Sequence, residues 1–290
     1  RKEFKKLFSS SSYLMNGVAG TLLLIIAGVA LLFVDAKSVI DLLISESEAE
    51  APFLVEVLEN RLPYMAAGLL IVFTGMSCPA ASALSLEGSS RGQLFAMPVS
   101  TRTIFLAKST PTFLLNAIGS LFVSAVLCAK LGTSADGWTI MLGTAVVFSA
   151  FTGIFGIYLN YKFPKYDWKT EAAVVKQSAP VTIFTLGAML LGFAVCALSV
   201  LGWYAVVVVD AVCIVLCVTL IAHFGKLHLI FPAICFSVQN AHRPLRKIGW
   251  RAPVSVTPSI YKSSLPIIKS TWIIESLMPM ACSSSSDFSA

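Results

Sequence analysis

Apolar residues cluster in six runs, at residues 13–34, 63–84, 112–129, 138–159, 179–201 and 203–222. Each is close to the roughly 20 helical residues that cross a hydrocarbon core. The pattern predicts an all-α integral membrane protein with six transmembrane helices. Pro63 suits the first turn of the second span, where its missing N–H costs nothing, and Pro111 is expected to start the third. Gly17, Gly20 and Gly28 in the first span offer points of close helix approach. Gly153, Gly156, Gly187 and Gly192 read as helix-packing points in the same way. A tight turn at Gly202 joins the last two spans.

The polar stretches between the runs have patterns of their own. Residues 1–12 place Phe4, Leu7 and Phe8 on one helical stripe among lysines. They predict an amino-terminal amphipathic helix at the membrane surface, with a plain stop-transfer flank as the alternative. Residues 35–62 carry seven acids against Lys37 and Arg61, with apolar residues at helical spacing, and predict two short helices on the outer surface. An acidic ligand vestibule is the other reading of that loop. Residues 85–110 form a helix–break–helix pattern. Pro98 disfavours α geometry at Met97 and ends the first helix, and Ser100 can cap the second through its hydroxyl. Two readings stand for this stretch: a docking element and an ordinary connector.

Composition fits the pattern. Hydrophobic residues make up 57% of the 290 and charged residues only 12%, where soluble chains carry about 25% charged. The net charge of +6 would suit nucleic acid, but its placement argues otherwise. With the amino terminus inside, 18 of the 21 Lys and Arg fall in inner segments, and only Lys37, Arg61 and Lys130 fall outside. That bias orients the chain in the plasma membrane with both termini cytoplasmic and explains the basic balance without nucleic acid. Residues 226–290 form a Ser/Pro-rich basic tail that reads as disordered or as a non-native reading frame. Its Arg243, Arg246, Lys247 and Arg251 suit contact with anionic lipid. The opening at Arg1 reads as the middle of a longer product, and the chain as a fragment. No CxxC pair occurs among seven cysteines, so neither a zinc site nor a disulfide framework is indicated.

Catalytic signatures are scarce. There is no GxxxxGK[ST], HExxH or GxSxG motif, and His223, His228 and His242 do not form a compact metal-ligand pattern. Asp210 lies inside the sixth run, where a carboxylate costs roughly 2.5–3.5 kcal/mol to insert. It reads either as a substrate or proton site, or as a hydrogen-bond partner of Asn116 or Ser124 in the third span.

Two motifs carry a family resemblance. Residues 85–110 contain Glu87-Gly88, Leu94, Pro98-Val99-Ser100, Ile104 and Ala107-Lys108. Residues 159–179 contain Phe163-Pro164-Lys165, Asp167-Trp168, Glu171 and Val175-Lys176-Gln177-Ser178. Together they are similar to the permease subunits of ABC-2-type exporters, over about residues 1–225. The resemblance implies a membrane subunit that couples ATP hydrolysis on a separate ABC ATPase to substrate export. No cofactor is implied for this chain, since the partner would bind the ATP. A cytoplasmic coupling helix between spans 2 and 3 would use Glu87, Gly88, Arg91, Leu94, Phe95, Met97, Pro98, Val99, Ser100 and Arg102. The second cytoplasmic loop would contribute Phe163, Pro164, Lys165, Asp167, Trp168, Glu171 and Lys176. Such permeases work in pairs, as homodimers or with another permease half. A membrane-embedded enzyme using Asp210 and a non-transporting scaffold subunit are the competing readings.

Overall fold

The computed structural model describes residues 2–33, 60–90, 99–166 and 168–226. The predicted outer-surface helices, the break at Met97-Pro98 and the tail lie outside these residues. Among the described residues the chain is helical throughout, with no strand. The helices are α1 (Lys2–Ser9), α2 (Ser11–Gly17), α3 (Ala19–Phe33), α4 (Leu62–Met76), α5 (Ala80–Ala83), α6 (Thr101–Leu131), α7 (Ala135–Lys162), α8 (Glu171–Gln177), α9 (Ala179–Leu198) and α10 (Tyr204–Phe224). Five segments are long and apolar enough to cross a membrane, and α2 with α3 makes a sixth if the bent pair counts as one.

Local signals act where the sequence places them. Pro63 sits in the first turn of α4. The Ser100 hydroxyl accepts from the Thr103 N–H at 3.3 Å and starts α6. The boundaries differ from the apolar runs in four places. The first span bends by 57° at the junction of α2 and α3. The second is broken after Met76 and resumes at Ala80. The third does not start at Pro111: α6 runs from Thr101 straight through that proline. Ser109 and Thr110 donate through their hydroxyls to the Leu106 carbonyl in the turn before that proline. Finally, residues 160–178 are not all loop, because α7 extends to Lys162 and α8 forms beyond it.

The break in the second span is saturated by its neighbours. Asn116 of α6 donates to the carbonyls of Ser77 (2.8 Å) and Thr74 (3.3 Å), and its Oδ1 accepts from the Thr21 hydroxyl. The Ser77 hydroxyl accepts from the Thr21 N–H, the Thr112 hydroxyl accepts from the Ala80 N–H, and Tyr13 donates to the Pro79 carbonyl. Backbone outside a helix is tolerated at membrane depth only where protein supplies these partners.

Close contacts set the helix directions. The Ser120 and Ser149 hydroxyls meet, and Gly153 lies against the Ser109 carbonyl, so α6 and α7 run antiparallel. Gly68 lies against the Gly192 carbonyl and Gly75 against Ala188, so α4 and α9 are antiparallel too. In α3, Thr21 touches Asn116 and Gly28 approaches Phe122, so α3 runs parallel to α6. Asp210 beside Thr144 and His223 beside Tyr158 make α10 parallel to α7. The rings of Phe105, Tyr161 and Phe224 meet at one end of the bundle. That end also carries α1, α2, residues 85–90 and α8, which share a small core of Leu7, Tyr13, Val18, Leu86, Val174 and Val175.

The glycines separate into close contacts and open positions. A Cβ on Gly20 would overlap the Phe73 carbonyl oxygen, whereas Gly187, read from the sequence as a packing point, has open space around it. Gly20→Ala should push α3 and α4 apart and cost about 1–3 kcal/mol. Gly187→Ala should instead be neutral or gain up to about 1 kcal/mol from helix propensity. Thermal midpoints of the two variants in detergent check the ordering.

Candidate functional site

The two sequence motifs fold against each other at the shared end of the bundle. Asn160, in the last turn of α7, accepts from the N–H groups of Leu84 (2.7 Å) and Ser85 (3.0 Å) on its Oδ1. Its amide donates to the Ser85 hydroxyl at 2.7 Å. That hydroxyl also accepts from the Lys165 N–H at 2.9 Å, and the Trp168 indole donates to the Ser85 carbonyl at 2.9 Å. Ser85 and Asn160 are fully buried, so this is a closed polar joint in which each group has a partner.

Gly88 explains why the motif has glycine after the acid. Its φ of 49° lies in the left-handed region, which side chains adopt only with strain. A Cβ there would also come within 3.2 Å of the Trp168 ring. Turn and ring are matched: the loop after the second span bends sharply enough to pass under Trp168.

Charge completes the junction. Lys108, two turns into α6 and buried to 1% side-chain exposure, donates to both Glu3 oxygens (3.1 and 3.2 Å) and to Glu87. Lys6 pairs with Glu87 at 3.1 Å. Two lysines and two glutamates thus join α1, residues 85–90 and α6. A buried ammonium requires such company, since an isolated buried charge costs several kcal/mol. Ser10, the cap of α2, donates to Glu171 at the start of α8 and draws the amino-terminal helices onto the second motif.

The predicted residues divide accordingly. Glu87, Gly88, Lys165, Trp168 and Glu171 belong to the junction. Val99, Ser100, Arg102, Phe163, Pro164 and Lys176 are exposed around it. Arg91, Leu94, Phe95, Met97, Pro98 and Asp167 lie outside the described residues. Asp210 accepts from the Thr144 hydroxyl of α7 at 2.7 Å, not from Asn116 or Ser124 of the third span. Parallel packing of α10 on α7 brings Thr144 to it. Its second oxygen is buried with no hydrogen-bond partner among the described residues.

Sequence reasoning passed over Ser85, Asn160, Glu3 and the burial of Lys108. The lysine two turns into α6 and the asparagine in the last turn of α7 were the available signals. Among the described residues no group of three His, Cys, Asp or Glu side chains is placed to hold a metal. No family, curated protein or solved structure matches the chain.

Lys108→Met should leave Glu3 and Glu87 without their shared cation and destabilise by about 3–5 kcal/mol. Adding Glu87→Gln should recover part of that loss, because a buried carboxylate that has lost one of its cations is removed. A thermal midpoint for the double variant below that of Lys108→Met would refute the ion cluster.

Proposed function

We propose that this chain is the membrane-spanning permease subunit of an ATP-driven exporter, coupled to a separate ABC ATPase. The observation that carries the reading is the junction itself. The two stretches that resemble ABC-2 permease loops are joined by the Ser85–Asn160–Trp168 hydrogen bonds and sit at the same end of the bundle. A coupling element must be stiff, or movement of the ATPase would bend the loop and leave the spans in place. Here the loop is tied to α7 through Asn160, to α6 through Lys108 and to α1 through Glu3 and Lys6.

In this reading the junction faces the cytoplasm, as the positive-inside bias requires. The helices cross the plasma membrane six times with both termini inside, and α1 lies at the inner surface. Leu94, Phe95 and Met97 are the apolar anchors for a groove of the ATPase. ATP binds on that partner, and the permease pairs with a second copy or another permease half.

A second use of the bundle rests on Asp210. Its unpartnered buried oxygen beside the Thr144 hydroxyl suits a proton or polar substrate group within the membrane.

Two experiments test these readings. Leu94→Glu with Phe95→Glu should abolish co-purification with the ATPase while leaving the membrane-inserted chain intact. Normal assembly and ATPase stimulation by that variant would overturn the docking assignment. Asp210→Asn keeps an acceptor for Thr144, so export lowered tenfold or more would assign a role to the carboxylate itself. Unchanged export would limit Asp210 to pairing α10 with α7.

A further inference from the structure

Helices α6 and α7 part near the junction end and leave a groove of about 210 Å³, lined by Leu106, Ser109, Thr110, Phe113, Ala150 and Ile154. Gly153 meets the Ser109 carbonyl and holds the helices together there. Ala150, one turn earlier in α7, is too small to fill the space beside that contact. Thr110 is exposed and Leu106, Phe113 and Ala150 are half-buried, so the groove opens outward. Its two hydroxyls do not make it polar. Ser109 and Thr110 both donate to the Leu106 carbonyl, so their protons are spent within α6 and the groove suits hydrocarbon.

A cation stands over this groove. Arg102 precedes Leu106, Ser109 and Phe113 by four, seven and eleven residues, a spacing that puts all four on one face of α6. Arg102 is exposed, and among the described residues no ion pair includes it. Helix length sets the depth of both. The 31 residues of α6 span about 46 Å at 1.5 Å per residue. Centred on about 30 Å of hydrocarbon, α6 extends about 8 Å, or about five residues, past each edge. Leu106 then lies at the edge, Phe113 about 10 Å inside it and Arg102 about 6 Å outside, among the headgroups. The 28 residues of α7, centred in the same way, put Ile154 and Ala150 about 6 and 12 Å inside that edge.

We infer that this face of α6 and α7 holds one phospholipid, its phosphate on the Arg102 guanidinium and part of one acyl chain in the groove. A guanidinium meets a phosphate through two parallel N–H bonds. An apolar cavity of about 150 Å³ takes a benzene-sized molecule, so the groove accepts a segment of one chain but neither a headgroup nor a second chain. Both helices are of membrane length, and phospholipid is what an outward groove at this depth meets. Cation and groove together, at matching depths on one face, distinguish the site from general lipid contact. It rests on the membrane-length helices and is independent of the permease reading.

Native mass spectrometry of the full chain in detergent, titrated with phosphatidylglycerol, tests the site. One lipid should bind at least tenfold more tightly than those that follow. Arg102→Gln should weaken that first binding at least tenfold through loss of the charge-assisted pair. Ala150→Phe, which fills the groove, should weaken it about tenfold, the effect of displacing about two methylenes. Ala150→Leu, a smaller filling, should act in the same direction, and the thermal midpoints in lipid-free detergent should match the parent. Equal affinity for every lipid would show general contact only and overturn the site. Weakening by the substitution at Arg102 alone, or at Ala150 alone, would also overturn it, because head and chain would not share one molecule. Displacement of the lipid by inorganic phosphate would reduce Arg102 to a bare anion site, with the same consequence.

Discussion

An apolar bundle gives its backbone no water to bond with, so any departure from helix must be answered by a side chain from a neighbour. That constraint shapes the chain twice. Between Met76 and Ala80 the second span leaves the helix, and Asn116, Thr112, Thr21 and Tyr13 take up the exposed polar groups. Soon afterwards the α-helix ends again at Leu84, the chain turns sharply at Gly88, and Asn160 and Trp168 answer there. Each break therefore requires a particular residue on α6 or α7. The helices cannot slide past one another without stranding amides at a cost of several kcal/mol each.

The same requirement, extended to charge, explains Lys108. Its ammonium lies where water does not reach, and only the convergence of α1 and the loop on α6 makes that position tolerable. The ion cluster is thus a condition on the fold more than a source of stability, since buried pairs roughly break even against apolar packing. It makes the placement of α1 depend on the conformation of residues 85–90, although the two are remote in sequence.

Features set by nearby residues were legible from the chain alone. The Ser100 cap and the Pro63 start follow from propensity and spacing, and the structure has them; of the six apolar runs, five are membrane-length helical segments and the first is the bent pair α2 and α3. The breaks were hidden because Ser77, Cys78 and Pro79 interrupt an apolar run without making it polar. Pro111 pointed the other way: it looked like a boundary, but α6 runs through it. The partner of Asp210 depends on which helix lies next to α10, and that is a property of topology, not of local pattern. The small core beneath the junction draws Leu7, Leu86 and Val174 from three distant segments, each with too few apolar residues to stand out. Glu87, Gly88, Lys108 and Trp168 belong to the two motifs read from the sequence, whereas their partners Ser85 and Asn160 had no distinguishing mark beyond polarity in an apolar setting.

The long helix α6 is fastened to the amino-terminal segment at both extremities. Lys108 grips Glu3 near one end, and Lys130 donates to the Leu32 carbonyl at 3.1 Å near the other. With Thr21 and Asn116 bonded between them, α6 and residues 3–32 behave as a braced frame that resists shear. Helices α9 and α10 lack such bracing and present most of their apolar surface outward. Separating α3 from α6 therefore means breaking the Thr21–Asn116 bond and the Lys130 contact together, whereas, among the described residues, α9 and α10 are held chiefly by close packing and the single Thr144–Asp210 bond.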